Sequence, residues 1–259
     1  MAAAAGAPEP PASDLFVAVR GVSKQFDTGV QALGEITLDL AAGEFVSIVG
    51  PSGCGKSTLL RIIAGLTPAS SGRCTRAHPG RTAFVFQEAA LLPWQTVQRN
   101  AQLLMELEKE APGEIPGRAA EAIATVGLKG FESAYPHQLS GGMRMRLSLA
   151  RALALHPALL LLDEPLAAVD ELTRELLQED LSRLWQDERF TAVLVTHNVQ
   201  EAVFLSTRVI VMSARPGTVL ESIPVPFAFP RAPQLRSDAA FARLSGQVSQ
   251  ALRAGMNPA

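Results

Sequence analysis

The stretch GPSGCGKST, residues 50 to 58, fits the spacing glycine, four residues, glycine, lysine, then serine or threonine. The chemistry of that pattern is phosphate capture. Gly50, Gly53 and Gly55, with Ser52 and Cys54 between them, let the backbone wrap closely, so that amide hydrogens and a following helix N-terminus face an anion. Lys56 is placed to neutralise β- and γ-phosphates, the Ser57 hydroxyl to ligate Mg²⁺, and Thr58 to add a hydroxyl at the helix start. The flanks strengthen the motif, because EFVSIVG before it is a continuous apolar run and KSTLLRIIAGL after it has helical character.

A second run, ALLLLDEP, ends on Asp163 and Glu164, with Pro165 steering Glu164 away from helical geometry. A third, residues 191 to 196, delivers His197. In open α/β sheets ligands bind at the carboxyl ends of the strands, so three strands bring phosphate-relevant groups to one edge. Asp163 is the expected Mg²⁺ partner, direct or through water. Glu164 is the candidate base for an attacking water, and His197 the candidate γ-phosphate contact. The plainer alternative makes the two acids strand terminators and His197 a loop histidine. LSGGM, residues 139 to 143, raises a question: why does the chain carry a second Ser-Gly-Gly suited to an anion, far from the phosphate loop?

The elements that must hold these groups follow from periodicity. LFVAVRGV (15 to 22) and EITLDL (35 to 40) read as strands, the second with Ile36, Leu38 and Leu40 on one face. The helix after the phosphate loop closes at Gly65, and residues 66 to 82 are loop-rich. Between 96 and 138, Val97, Ala101, Leu104 and Leu107 fall at helical spacing and GRAAEAIATVGL supplies a second short helix, which marks an inserted helical subdomain. The α/β pattern resumes with a strand at 158 to 162 and a helix at 171 to 186, whose stripe is Leu172, Leu176, Leu177, Leu181 and Leu184. Strands follow at 191 to 196, 208 to 213 and 216 to 222.

Composition limits the partners. With a formal charge of −2 over 259 residues, the chain lacks the cationic footprint that duplex nucleic acid requires. Cys54 and Cys74 have no metal-ligand or paired spacing, which suits a reducing compartment. The opening MAAAAGAPEPPAS has no basic start and is broken by prolines, so residues 1–13 read as a disordered tail rather than a signal peptide. The longest uncharged stretches fall short of the roughly 20 apolar residues that span a bilayer.

The phosphate loop, LSGGM, LLLLDEP, the FQ pair and His197, in this order, resemble the ATP-binding cassette (ABC) ATPases. The resemblance covers about residues 14–230, with residues 231–259 as a C-terminal extension. It implies an α/β P-loop NTPase core with a mainly parallel sheet, an N-terminal antiparallel β portion and the inserted helical subdomain, residues 96–138. By match, it makes Leu139 to Met143 the signature, with Ser140, Gly141 and Gly142 as nucleotide contacts. Gln87 becomes the Q-loop glutamine and a Mg²⁺ contact, Ala167 to Asp170 the D-loop, and His197 the switch residue. Phe26 sits where the family places an aromatic against adenine, a core ring being its alternative. Asp170 also immediately precedes a helical stripe and suits an N-cap.

In this family two cassettes pack head to tail, each nucleotide lying between one subunit's phosphate loop and the other's signature. That answers the question of the second anion site. FQEAALLPWQTVQRN, DEPLAAVDELTR, THNVQEAV and the tail RAPQLRSDAAFARLSGQVSQAL resemble the importers of nitrate, sulfonates and taurine. The resemblance implies a second ATPase subunit in a homodimer, two membrane permease subunits, an extracytoplasmic solute-binding protein acting indirectly, and attachment to the cytoplasmic face of the inner membrane. LLPW, residues 91 to 94, is either a permease-docking anchor or part of its own subdomain's interior. The family commonly has Gln where Met145 stands, Asp at Asn198, and Gly and Leu at Ala167 and Val169, and segment 66–82 is short. An exporter or lipoprotein-release ATPase and a soluble non-transport cassette ATPase are the alternatives. The first is opposed by the tail and LLPW, the second by the single cassette and the absence of sustained heptads.

Overall fold

A computed structural model describes residues 15–77, 80–167 and 169–256. The expected disordered tail, residues 1–13, lies outside them. The chain divides into two compact units. Of the described residues, the first holds 15–77, then Arg189–Ala228 and 234–256; the second holds those within Gly80–Glu188 together with Phe229–Pro233.

In the first unit, β1 (Leu15–Gln25) pairs antiparallel with β2 (Gln31–Ala41) on one side and β4 (Ser71–Arg76) on the other, with Val19 opposite Leu38 and Cys74. The alternation of Ile36, Leu38 and Leu40 is borne out, since all three are buried. β4 corrects the loop-rich reading of 66 to 82. Its residues are polar and none is buried, so it carries no hydrophobic alternation, and it is a strand because β1 offers it a ladder.

β3 (Phe45–Val49) lies between β7 (Thr191–Thr196) and β8 (Arg208–Met212), parallel to both, and β9 (Val219–Pro224) runs antiparallel to β8. Every residue of β3 and β7 is buried, which is why both read as unbroken apolar runs. Among the described residues the α-helices of this unit are α1 (Lys56–Ile63), α6 (Val199–Leu205) and α7 (Ala239–Met256). α6 packs on β3 and α7.

In the second unit, β5 (Thr82–Val85) runs parallel to β6 (Leu159–Asp163). α2 (Val97–Leu107), α3 (Ile115–Thr125) and α4 (Gly141–Leu153) pack on one another, and α5 (Glu171–Glu188) follows β6. α2 and α3 are the helices expected between 96 and 138, but the buried face of α2 runs through Val97, Ala101 and Met105, leaving Leu107 67 % exposed. A larger correction falls on α5. Leu172 and Leu176 are exposed, whereas Leu177, Gln178, Leu181, Ser182 and Trp185 are buried. Its inner face therefore carries polar groups that a hydrophobic stripe does not reveal.

Candidate nucleotide-binding and catalytic motifs

In the parallel ladder, Val49 of β3 stands beside Thr196 of β7, so Gly50 and His197 leave the same edge side by side. Gly55, at φ +106°, is the N-cap of α1. A Cβ there would lie 2.7 Å from the Ala32 carbonyl oxygen, so glycine meets both the backbone angle and the crowding. Having no side chain, Gly55 leaves the first-turn N–H groups of α1 directed at the loop. Lys56 is buried, and its Nζ donates to the carbonyls of Gly50 (2.8 Å) and Pro51 (3.0 Å). The charge is thus drawn over the loop, where a phosphate oxygen is a stronger acceptor than a carbonyl.

Ser52 and Gly53 are exposed at the tip, Ser57 and Thr58 half-buried. Cys54 is buried, which pushes its thiol up against the opposing pull of Lys56 and Arg215. Phe26 closes a tight turn, with Gly29 N–H donating to its carbonyl at 2.8 Å. Its ring is 41 % exposed with Lys24 Nζ 5.3 Å from the centroid, so it is not a core ring.

His197 is exposed on a hydrogen-bonded turn. Thr196 Oγ1 donates to the buried Glu201 carboxylate and accepts from Asn198 N–H at 3.0 Å, while Asn198 Oδ1 caps α6 by accepting from Glu201 N–H at 3.0 Å. Asparagine and aspartate cap helices comparably, so the departure at Asn198 costs the turn nothing.

In the second unit, Val85 stands beside Leu162, which carries Gln87 and the Asp163–Glu164 pair off the same strand ends. Gln87 is exposed and Asp163 buried. Glu164 adopts φ +47°. It does avoid right-handed helical geometry, but through the left-handed region rather than the extended one that Pro165 favours, which turns the chain sharply. Arg174 holds the segment that follows, donating to the carbonyls of Leu166 (3.2 Å) and Val169 (2.7 Å). Ala167 is exposed, and Ala168 lies outside the described residues. Asp170 caps α5 by accepting from Thr173 N–H at 3.0 Å, and that bond holds its carboxyl below the ordinary range.

At the signature, Leu139 is buried and Ser140 is the exposed N-cap of α4, its Oγ accepting from Met143 N–H at 3.2 Å. Accepting that bond leaves the hydroxyl proton available for a second acceptor. Gly141 opens the helix, and Val169 and Thr173 stand beside Gly142. Met145 points into the core, an apolar position.

Two residues that sequence reasoning missed hold the segment after Gln87. Arg151 of α4, 7 % exposed, donates to the carbonyls of Ala90 (2.9 Å) and Ala89 (3.1 Å). Asn100 of α2 is fully buried; it accepts from Leu92 N–H at 2.8 Å and donates to the carbonyls of Leu92, Gln95 and Thr96. A lone buried amide or guanidinium in a helix leaves no spacing signal. The loop so braced carries Trp94 69 % exposed, against the reading that placed this ring in its subdomain's interior.

Among the described residues no group of three His, Cys, Asp or Glu side chains could hold a metal by itself. Ser57, Gln87 and Asp163 are hard oxygen donors of the kind that share Mg²⁺ with phosphate oxygens and water, so the donor set fits that ion.

A glycine loop joining a parallel strand to a helix, with acid-bearing and histidine-bearing strand ends, defines a P-loop nucleotide-hydrolase cassette. Residues 33–167 match the ABC transporter family model. The aliphatic sulfonates import ATP-binding protein SsuB 2 of Pseudomonas syringae pv. tomato is 46% identical over 88% of this chain and 94% of its own. SsuB of Bacillus licheniformis is 41% identical over 84% and 88%. Among solved structures, the dimeric post-hydrolysis state of the ATP-binding cassette MJ0796 bound to ADP and Pi matches with a TM-score of 0.75 and 31% identity, covering 82% of this chain and all of the other. The chain belongs to the ABC transporter family, as an ATP-binding, ATP-hydrolysing subunit.

Proposed function

We propose that the chain is the ATPase subunit of an importer for small sulfonates or related anionic or zwitterionic solutes. The observation that carries this is the likeness to SsuB proteins along most of both chains. Among the described residues no helix is long and apolar enough to cross a membrane, and in this reading the energy of hydrolysis acts on other subunits. We place the chain at the cytoplasmic face of the inner membrane, as a homodimer bound to two permease subunits, with Trp94 an exposed anchor for them.

In this reading Gly50 to Thr58 bind the triphosphate, with Lys56 as counter-charge, and Phe26 stacks on the adenine. Ser57, Gln87 and Asp163 hold Mg²⁺, whose contribution when bound is to neutralise charge on the phosphates. Glu164 takes the proton of the attacking water, His197 donates to the γ-phosphate, and Ser140 to Gly142 serve the partner cassette's nucleotide while Asp170 shapes the adjoining segment. The cassette domain spans residues 14–230, with a C-terminal extension beyond.

The test is purification from detergent-solubilised membranes. The expected result is two copies of the chain with a permease pair, and MgATP turnover in vesicles stimulated by a sulfonate-loaded binding protein. Recovery with ribosomes or nucleic acid and no membrane protein overturns the proposal, and efflux from the vesicles overturns the direction.

A further inference from the structure

The β8–β9 hairpin is unassigned by any motif above, yet it lies on the phosphate loop. Arg215 Nε donates to the Gly53 carbonyl at 3.0 Å. The hairpin is wedged into place rather than loosely apposed. Gly217 N–H donates to the Ala32 carbonyl at 3.1 Å, and Gly34 N–H donates to the Gly217 carbonyl at 2.9 Å. A Cβ on Gly217 would collide with the Cys54 carbonyl, so backbone packs directly on backbone. Ser213 Oγ accepts from Thr218 N–H at 2.9 Å and closes the turn. Ala214 N–H donates to the Gly255 carbonyl at 3.1 Å, which ties the hairpin to the last turn of α7.

A peptide unit is planar, so the direction of the Gly53 carbonyl sets that of the Cys54 N–H on its far side. With the carbonyl held by Arg215, the Cys54 N–H points to the Pro51 carbonyl, 3.3 Å away across the loop. That bond closes the turn at the tip of the loop, and the shape of the turn decides where the N–H groups that follow it, at the start of α1, are aimed. We propose that Arg215 is a positioning residue for the phosphate loop, bracing the Gly53–Cys54 peptide and the turn it closes so that the N–H groups at the start of α1 face phosphate, and that the C-terminal helix supports it through Ala214. This rests on the nucleotide-binding reading of that loop and gives the C-terminal extension a structural task in it.

The experiment measures equilibrium affinity for MgADP and MgATP, without turnover, on the full-length chain and on Arg215→Met and Arg215→Lys, with Lys56→Ala as reference. Arg215 is exposed, so the methionine variant keeps the side chain's length and the fold while removing the donor. Losing one charge-assisted hydrogen bond is expected to weaken both nucleotides about tenfold in Arg215→Met. Lysine restores most of that, and the thermal midpoints of the two variants agree. Parental affinity in Arg215→Met overturns the proposal. So does a fall in thermal midpoint that accounts for the whole loss, with no rescue by lysine. A parent that binds neither nucleotide overturns the reading of the loop itself, and the reference variant separates that case.

Discussion

The guanidinium of Arg151 on α4 holds the carbonyls of Ala89 and Ala90 at 3.1 and 2.9 Å, three residues or fewer from Gln87. The helix capped by Ser140 is therefore bonded to the segment that carries Gln87. Arg151→Ala leaves two carbonyls without their donor in a part-buried place, at a cost of about 2–3 kcal/mol. Hydrolysis should fall more than ATP binding, and Arg151→Lys should recover part of it. Equal kcat in parent and alanine variant, measured beside chemical denaturation, removes Arg151 from that role.

Glu164 is the proposed base, on a left-handed turn that fixes where its carboxylate starts. Glu164→Gln keeps the shape but cannot take a proton, so turnover should drop at least about 100-fold while ATP still binds. Retained nucleotide then stabilises the cassette dimer by mass action. Size measurement with and without ATP, beside a phosphate-release assay, decides it; parental turnover in the variant reassigns the base.

Ser140 already accepts from Met143 N–H, so its hydroxyl proton is left for a second acceptor, which in the proposed reading is a partner's nucleotide. Lys56→Ala and Ser140→Arg should each fail to trap ATP alone, since every composite site of either homodimer is damaged. When mixed, a heterodimer contains one intact phosphate loop facing one intact signature. Recovery of ATP trapping at that single site is expected. Demonstrated mixed dimers with no recovery exclude the shared site.

The Asp170 carboxyl is held below its ordinary value of 3.8, chiefly by the Thr173 N–H it caps. A depressed folded value means that the carboxylate stabilises the start of α5 above pH 3.8 and that this contribution is lost as pH falls through the lower folded value. Asp170→Asn keeps a capping oxygen and should flatten that part of the stability profile, whereas Asp170→Ala should lower the thermal midpoint at pH 7. A titration of thermal midpoints from pH 6 to 2.5 separates the three chains; identical acid limbs in parent and asparagine variant dismiss the linkage.

What the sequence determined by itself is the chemistry and its strands. β7 falls at residues 191 to 196, as its apolar run implied, and the loop at 50 to 58 starts where β3 ends. Runs buried on both faces and glycines with positive φ are local requirements, so they leave local marks. Tertiary structure decided what depends on neighbours. β4 is a strand through its pairing with β1, and α6, capped by Asn198, buries Glu201 to Leu205 while packing on β3 and α7. α5 turns Gln178 and Ser182 inward and Leu172 outward. The braces Arg151, Asn100 and Arg215 bond carbonyls 61, 8 and 162 positions away, respectively. A hydrogen bond to a backbone carbonyl asks nothing of the residue that owns it, so no spacing or residue type records the partner, and only the folded chain brings the two together.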